Sequence, residues 1–201
     1  VVGITPSNFP AMVAMWMLPI ALMSGNAFVW KPSEKTPFTP TLLAKGLEEC
    51  GLPEGLLSII HGNKNVVEQL CVHPIVKAVG FVGSTLAAKH VYQLATSAFK
   101  KSLTLGGAKN HIILTPDAPA NMTTDAIIAA FSGCAGQRCM DASNLLVVGK
   151  CDELLEKIFE KSKNFTAGKN IGAIITKESL TRICSVIDKN IHEKNCQLKI
   201  D

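Results

Sequence analysis

Val1-Val2-Gly3-Ile4, the turn Thr5-Pro6-Ser7-Asn8-Phe9-Pro10, the apolar run Ala11–Met23 and then Ala27-Phe28-Val29-Trp30-Lys31 form the stretch on which the fold turns. A β-branched run, a polar turn, a helix-length apolar segment and a second short apolar run make one strand–helix–strand unit. Outward from it the alternation continues. Further strands are expected at Leu57–His61, Ala78–Val82, Ser102–Leu105, Ile112–Thr115 and Leu145–Val148. Helices are expected at Ala11–Ser24, Pro40–Cys50, Val66–Val72, Leu86–Phe99, Thr123–Ala135, Glu153–Phe165 and Lys177–Ile191, with a last strand at Gln197–Ile200. Strands and helices alternating at this spacing predict an α/β fold with a mainly parallel sheet. Thr39 is positioned to cap a helix opening on Pro40, Gly51 to stop it, and Asp152 to cap a later one. The break Gly106-Gly107-Ala108-Lys109-Asn110-His111 is the expected domain boundary.

Composition narrows the function classes. With 47% hydrophobic and 18% charged residues the chain is too apolar for a disordered segment. The net charge of +4 is dispersed, with no basic stripe interleaved with aromatics, so no nucleic-acid partner is expected. The run Ala11–Met23, interrupted by Pro19, falls short of the roughly 18–20 apolar residues a membrane span needs. It also lacks the flanks of a signal peptide. Seven cysteines without CxxC spacing argue against a disulfide framework or a zinc site, so no metal is expected and a reducing compartment is. The chain opens within a strand and without an initiator Met, which predicts a fragment with any targeting segment outside it.

Four segments could carry chemistry. Cys139 lies in Gly133-Cys134-Ala135-Gly136-Gln137-Arg138-Cys139-Met140, after a predicted helix, with flanking glycines and an adjacent arginine to favour a thiolate. A thiolate attacks carbonyl carbon, and its own backbone N–H can help hold the oxyanion. The plain alternative is a structural cysteine. Asn8, in the turn after the first strand, could offer its amide to an oxyanion, or simply cap the next helix. In Lys31-Pro32-Ser33-Glu34 the lysine donates and the glutamate accepts, a pair suited to a ribose, though also to a surface turn. Phe81-Val82-Gly83-Ser84 precedes a helix, so its backbone N–H groups could face a phosphate. No GxGxxG fingerprint accompanies it.

In this order, the Asn loop, Lys-Pro-Ser-Glu, Phe-x-Gly-Ser, the Gly-Gly-x-Lys run and Gly-Gln-x-Cys resemble the aldehyde dehydrogenase superfamily over essentially the whole chain. Thr5–Met12, Gly107-Ala108-Lys109-Asn110-His111 and Gly136-Gln137-Arg138-Cys139-Met140 resemble its methylmalonate-semialdehyde dehydrogenase branch. The resemblance implies a Rossmann-like NAD-binding domain over 1–107 and the start of an α/β catalytic domain over 108–201, truncated at both ends. It implies Cys139 as nucleophile, Asn8 as oxyanion donor and Arg138 as partner of the substrate carboxylate. Lys31, Glu34, Gly83, Ser84 and Phe9 are implied as NAD contacts. The implied reaction oxidises malonate or methylmalonate semialdehyde with NAD and passes the Cys139 thioester to coenzyme A, with decarboxylation. A homo-oligomer is implied, in the mitochondrial matrix of a eukaryote or the cytoplasm of a bacterium.

Departures from the pattern cut the other way. Leu105 stands where hydrolytic relatives carry a Glu base and the coenzyme-A branch usually an Asn. Leucine cannot deprotonate water, which disfavours hydrolysis, fits a thiol acceptor, and fits an inactive paralogue as well. Ser7 replaces an aromatic residue and Ala88 a glycine expected near the pyrophosphate. The segment Ala167-Gly168-Lys169-Asn170-Ile171-Gly172-Ala173 is shorter than the family's loop. The rival expectations are a catalytically inactive member retaining the fold, or a non-acylating NAD aldehyde dehydrogenase.

Overall fold

The computed structural model describes residues 1–194 and 196–199. The chain divides into two compact units, Val1–Gly107 and the part from Ala108 onward. In unit 1 the order is β1 (Val2–Ile4), α1 (Met12–Met15), α2 (Leu18–Met23), β2 (Phe28–Lys31), α3 (Phe38–Glu49), β3 (Leu57–Ile59), α4 (Lys64–Val72), β4 (Ala78–Val82), α5 (Thr85–Ser97) and β5 (Lys101–Leu105). The five strands lie in the order β3, β2, β1, β4, β5, and every pairing is parallel. This is the mainly parallel α/β sheet that the alternation predicts.

Parallel strands need crossovers, and crossovers bury both faces of the sheet. On one face Val2, Ile4, Val79 and Phe81 pack with Val91 and Ala95 of α5 and with Cys71 of α4. On the other, Phe28 and Trp30 pack with Leu18 and Ala21 of α2, and Leu43 and Leu47 of α3 close over them. Here the two central strands present Gly3 and Gly80, paired with one another. A Cβ on Gly3 would lie 2.2 Å from the Phe28 ring, and one on Gly80 2.4 Å from the Met17 sulfur. The glycines therefore leave room for side chains from neighbouring elements to lie directly on the sheet. The buried indole N–H of Trp30 donates to Thr5 Oγ1 at 2.9 Å, and Thr5 N–H donates to the Lys31 carbonyl at 3.1 Å. Both bonds fix the turn after β1 to the end of β2.

In unit 2, β6 (Asn110–Leu114) pairs in parallel with β7 (Ala142–Val147), with a register shift between Asn110 and His111. The helices are α6 (Ala120–Ser132), α7 (Asp152–Ser162) and α8 (Lys177–His192), with a 3₁₀ turn at Gly133–Gly136. Leu114, Ile127, Ile128, Leu154 and Ile158 form its core. Phe131 and Phe165 meet edge to face with ring centroids 6.5 Å apart.

Several expected boundaries are corrected. The single helix expected over Ala11–Ser24 is two, because Pro19 cannot donate to the turn before it and its ring displaces the carbonyl there. Trp16 and Met17 instead donate three residues back, to Val13 and Ala14. Thr39 does not cap α3: the N-cap is Pro37, and Pro40 sits within the first turn, where an N–H has no helical partner to lose. Asp152 is the first residue of α7 rather than its cap, its charge still suited to the positive helix end. The helix expected to reach Ala135 ends at Ser132, because Cys134 and Ala135 are left-handed, with φ of 50° and 54°. Of the strand expected at Gln197–Ile200, residues 197–199 are not extended into a ladder and Ile200 lies outside the described residues.

Burial pushes the Cys71 thiol up to about 11, from an ordinary 9.0. Above pH 9 the unfolded chain releases this proton while the folded chain holds it, so stability falls as pH rises until the folded thiol ionises near 11. The expected loss is up to about 1.4 kcal/mol per pH unit. Urea midpoints of wild type and Cys71→Ala from pH 8 to 11 check this: the difference between the curves carries the slope, and parallel curves refute it.

Candidate active site

In unit 1 the chain leaves β1 toward β2 on one side, and β4 flanks β1 on the other. Sheets of this order bind ligands at the carboxyl ends of the strands, where the order reverses. At that edge lie the turn after β1 with Asn8 and Phe9, the Lys31–Glu34 segment after β2, and Gly83-Ser84 after β4. Asn8 and Phe9 are half-buried. Asn8 does not occupy the capping position of α1, which belongs to Ala11.

Lys31 is only 3% exposed. Its Nζ donates to the Gly62 carbonyl at 3.0 Å and lies 3.5 Å from Glu34 Oε2, while the Glu34 side chain is 58% exposed. The buried ammonium anchors this segment, and the exposed Glu34 side chain is its accessible acceptor, which could take a hydroxyl. Ser84 caps α5, its hydroxyl accepting from Ala87 N–H at 3.4 Å. The remaining N–H groups of that first turn, with the helix dipole, could receive an anion. Gly83 is required by close packing: a Cβ there would stand 2.6 Å from the Phe81 ring. Beside Ser84, α4 and α5 bound a groove of about 480 Å³ lined by Val67, Phe81, Leu86 and Val91. His90 Nε2 meets Glu68 Oε1 at 2.8 Å along it, and this contact holds the Glu68 carboxyl below its usual range. The apolar groove, the first turn of α5 and the Lys31–Glu34 pair are the features of this edge that could hold a cofactor. Ala88 is buried in the cluster that includes Val2 and Phe81. Leu105 ends β5, its carbonyl accepting from Gly83 N–H at 3.1 Å.

In unit 2, Cys139 is half-buried in the loop between the 3₁₀ turn and β7. Three side chains fasten this loop. Gln137 Nε2 donates to the Cys134 and Ala173 carbonyls at 2.9 and 3.1 Å, and its Oε1 accepts from Ile175 N–H at 3.0 Å. The short segment after Phe165 is thereby pinned to the cysteine loop. Arg138 turns back toward α6: Nη2 donates to the Ala129 and Ala130 carbonyls at 2.8 and 3.3 Å, and Nε and Nη2 pair with Asp141. It serves as a C-terminal cap for that helix. Among the described residues its Nη1 makes no hydrogen bond. Asn110 Nδ2 donates to the Cys139 and Asp141 carbonyls at 2.8 and 3.0 Å.

Sequence reasoning singled out Cys139 and Arg138 but missed Asn110, Gln137 and Asp141 as the groups that hold them. The signal for Asp141 was available: an acid three residues after an arginine, beside a loop. For Asn110 there was none, because its partners are carbonyls roughly thirty residues away.

The aldehyde dehydrogenase family model matches residues 1–199. The rat mitochondrial methylmalonate-semialdehyde/malonate-semialdehyde dehydrogenase (acylating) is 40% identical over 197 residues, covering 95% of this chain and 37% of that protein. Malonate-semialdehyde dehydrogenase 1 of Oceanobacillus iheyensis is 42% identical over 200 residues, with 96% and 41% covered. An NAD-complexed crystal structure from Sinorhizobium meliloti superposes with a TM-score of 0.91 at 41% identity, over 96% of this chain and 41% of that one. The chain thus spans about two fifths of the length of the relatives it matches.

A Cβ at Gly133 would lie 2.2 Å from Arg138 Cζ and 2.5 Å from both terminal nitrogens. Gly133→Ala is therefore expected to drive the guanidinium off Asp141, which is only 7% exposed, and to cost about 1–3 kcal/mol. Gly172→Ala, where a Cβ meets nothing within 4 Å, is the control. Chemical denaturation of both checks the difference; equal stabilities would contradict it.

Proposed function

The chain belongs to the aldehyde dehydrogenase family, and from that premise we propose NAD-dependent oxidation of malonate or methylmalonate semialdehyde, with the acyl group passed from Cys139 to coenzyme A and carbon dioxide lost. The observation that carries the reading is the fastened loop around Cys139: a thiol on backbone held from both sides is a pre-aimed nucleophile.

Cys139 Sγ, as thiolate, attacks the aldehyde carbon. The oxygen takes the electron pair and becomes an oxyanion, for which Asn8 and the Cys139 backbone N–H are the proposed donors. Bound NAD supplies the acceptor for the hydride that this carbon then loses. Cys139 is left carrying an acyl thioester. The coenzyme A thiolate attacks that carbonyl carbon, the bond to Sγ breaks, and Cys139 regains its thiolate. When the substrate carboxylate leaves as carbon dioxide, the bonding pair stays on the neighbouring carbon, which takes up a proton.

Each remaining residue has a proposed part. Lys31 and Glu34 would hold the adenosine ribose, the α5 N-terminus with Ser84 the pyrophosphate, and Phe9 would pack against the cofactor. The N–H of Gly83, expected to face the phosphate, is instead taken by the Leu105 carbonyl, so Gly83 serves the close turn. Arg138 would offer Nη1 to the substrate carboxylate. That donor is already oriented by Asp141, and a planar guanidinium suits a carboxylate. Leu105 supports the acylating reading over hydrolysis, because a leucine cannot activate water. The same residue favours a second reading, a family member without turnover. Among the described residues no helix is long and apolar enough to cross a membrane, and no cluster of metal-binding side chains occurs. The working protein would be a homo-oligomer, in the mitochondrial matrix if eukaryotic and the cytoplasm if bacterial.

The test is NADH formation from malonate semialdehyde and NAD, with and without coenzyme A. Steady turnover that needs coenzyme A, is abolished by Cys139→Ala and survives Cys134→Ala is the expected result. Turnover without coenzyme A would favour the hydrolytic enzyme, and no NADH even in a single turnover would favour the inactive member.

A further inference from the structure

We infer that Asn110 is a positioning residue for Cys139: it touches no reactant and holds the nucleophile's backbone against the first strand of unit 2. The inference rests on the thioester reading above. One amide nitrogen, Asn110 Nδ2, lies 2.8 Å from the Cys139 carbonyl oxygen and 3.0 Å from that of Asp141. The two carbonyls flank Met140, so a single side chain grips the loop on either side of one residue. An Asn amide carries two N–H donors, one for each carbonyl, and is matched to the task.

The grip is transmitted to something rigid. Asn110 is the first residue of β6 and pairs with Ala142, the first residue of β7. The next pair is His111 with Asn144, so Ser143 is the extra residue of a bulge directly beyond Asn110. The bulge offsets the start of the ladder and brings the Asn110 side chain beside the loop that enters β7. Fixing the Cys139 carbonyl fixes that residue's ψ. Arg138, tied to α6 and Asp141, restrains the residue before it. The Cys139 N–H and Sγ are the groups left to act, on a backbone that does not have to reorganise when they do.

Neither of two substitutions removes much volume, but each removes the donors. Asn110→Asp keeps the shape and sets a carboxylate against two carbonyl oxygens; their repulsion raises its affinity for a proton above that of a free Asp, and protonation restores one donor. Asn110→Ala removes donor and acceptor together. The experiment labels wild type and both variants with iodoacetamide from pH 5 to 8 and follows each cysteine by peptide mass. Exposed Cys134 and Cys184 are the in-chain references. Buried Cys151 stays unlabelled while unit 2 is folded and reports a variant that fails to fold.

The expected result is a change of about 10-fold in Cys139 labelling relative to the references in both variants at pH 8. In Asn110→Asp alone, that change fades as pH falls and the introduced carboxyl regains its proton. A purely structural loss would move all the cysteines together and show no such recovery. A Cys139 ratio that matches wild type in both folded variants overturns the inference, whatever the protein's turnover. In parallel, the saturated rate of the NADH burst is expected to fall at least about 10-fold while the semialdehyde concentration for half-maximal rate stays put. A wild type with no burst but with the labelling pattern above would overturn the thioester reading and leave the positioning role standing.

Discussion

Parallel pairing on both flanks of β1 is the constraint from which the rest of unit 1 follows. A strand with parallel neighbours on each side cannot be reached by a hairpin, so the chain must cross over the sheet and bury both faces. Once it does, every strand ends at the same edge. The turn after β1, the Lys31–Glu34 segment and the cap of α5 are far apart in sequence, yet they become neighbours because the strands that carry them run in one direction. The bonds from Trp30 and Thr5 then lock two of those strand ends together in the dry interior, where an unmade hydrogen bond is costly. The chemistry of that edge is thus a product of strand direction first and of individual side chains second.

Unit 2 achieves positioning by another route. Its sheet has two strands, and the cysteine loop is held largely by side chains: Gln137 toward the segment at Ala173 and Ile175, Arg138 toward the end of α6, and Asn110 from β6. Two successive non-glycine residues in the left-handed region, Cys134 and Ala135, carry a conformational cost of roughly 1–2 kcal/mol each. The hydrogen bonds Gln137 makes to the Cys134 carbonyl, from its backbone and its side chain, help to keep the turn in that shape. Arg138 illustrates how one residue can hold two jobs: it caps a helix and braces a loop while leaving a donor that no described group occupies.

The parts of this fold that could be read from sequence are those set by local chemistry. Strand and helix alternation and the stop at Gly51 depend on nearby residues, and both were legible; the cap at Ser84 was not read, and the caps expected at Thr39 and Asp152 fall elsewhere. Boundaries slipped where a proline or a backbone angle overruled hydrophobic pattern, as at Pro19 and at Cys134–Ala135. In the candidate site, Cys139 and Lys31 drew notice because thiol and amine are chemically distinctive types in recognisable turns. Asn110 and Gln137 were not, since an amide is equally at home on any surface and their partners are main-chain atoms that sequence does not label. The burial of Ala88 was likewise not legible: only the helix phase places its methyl in the cluster that includes Val2 and Phe81.

The facing glycines Gly3 and Gly80 have a consequence for how the sheet assembles. A glycine enters folding with more backbone freedom to surrender than any other residue, roughly 0.5–1 kcal/mol beyond alanine. Two of them sit opposite one another in the innermost strand pair. Having no side chains, they contribute little to that pairing, and the favourable contacts come from the Phe28 ring and the Met17 sulfur laid over them. Zipping β1 to β4 is therefore coupled to the arrival of groups from β2 and the start of α2. The centre of the sheet is cooperative by construction: on this face the apolar contacts of the joined strands are completed only when Phe28 and Met17 lie over them.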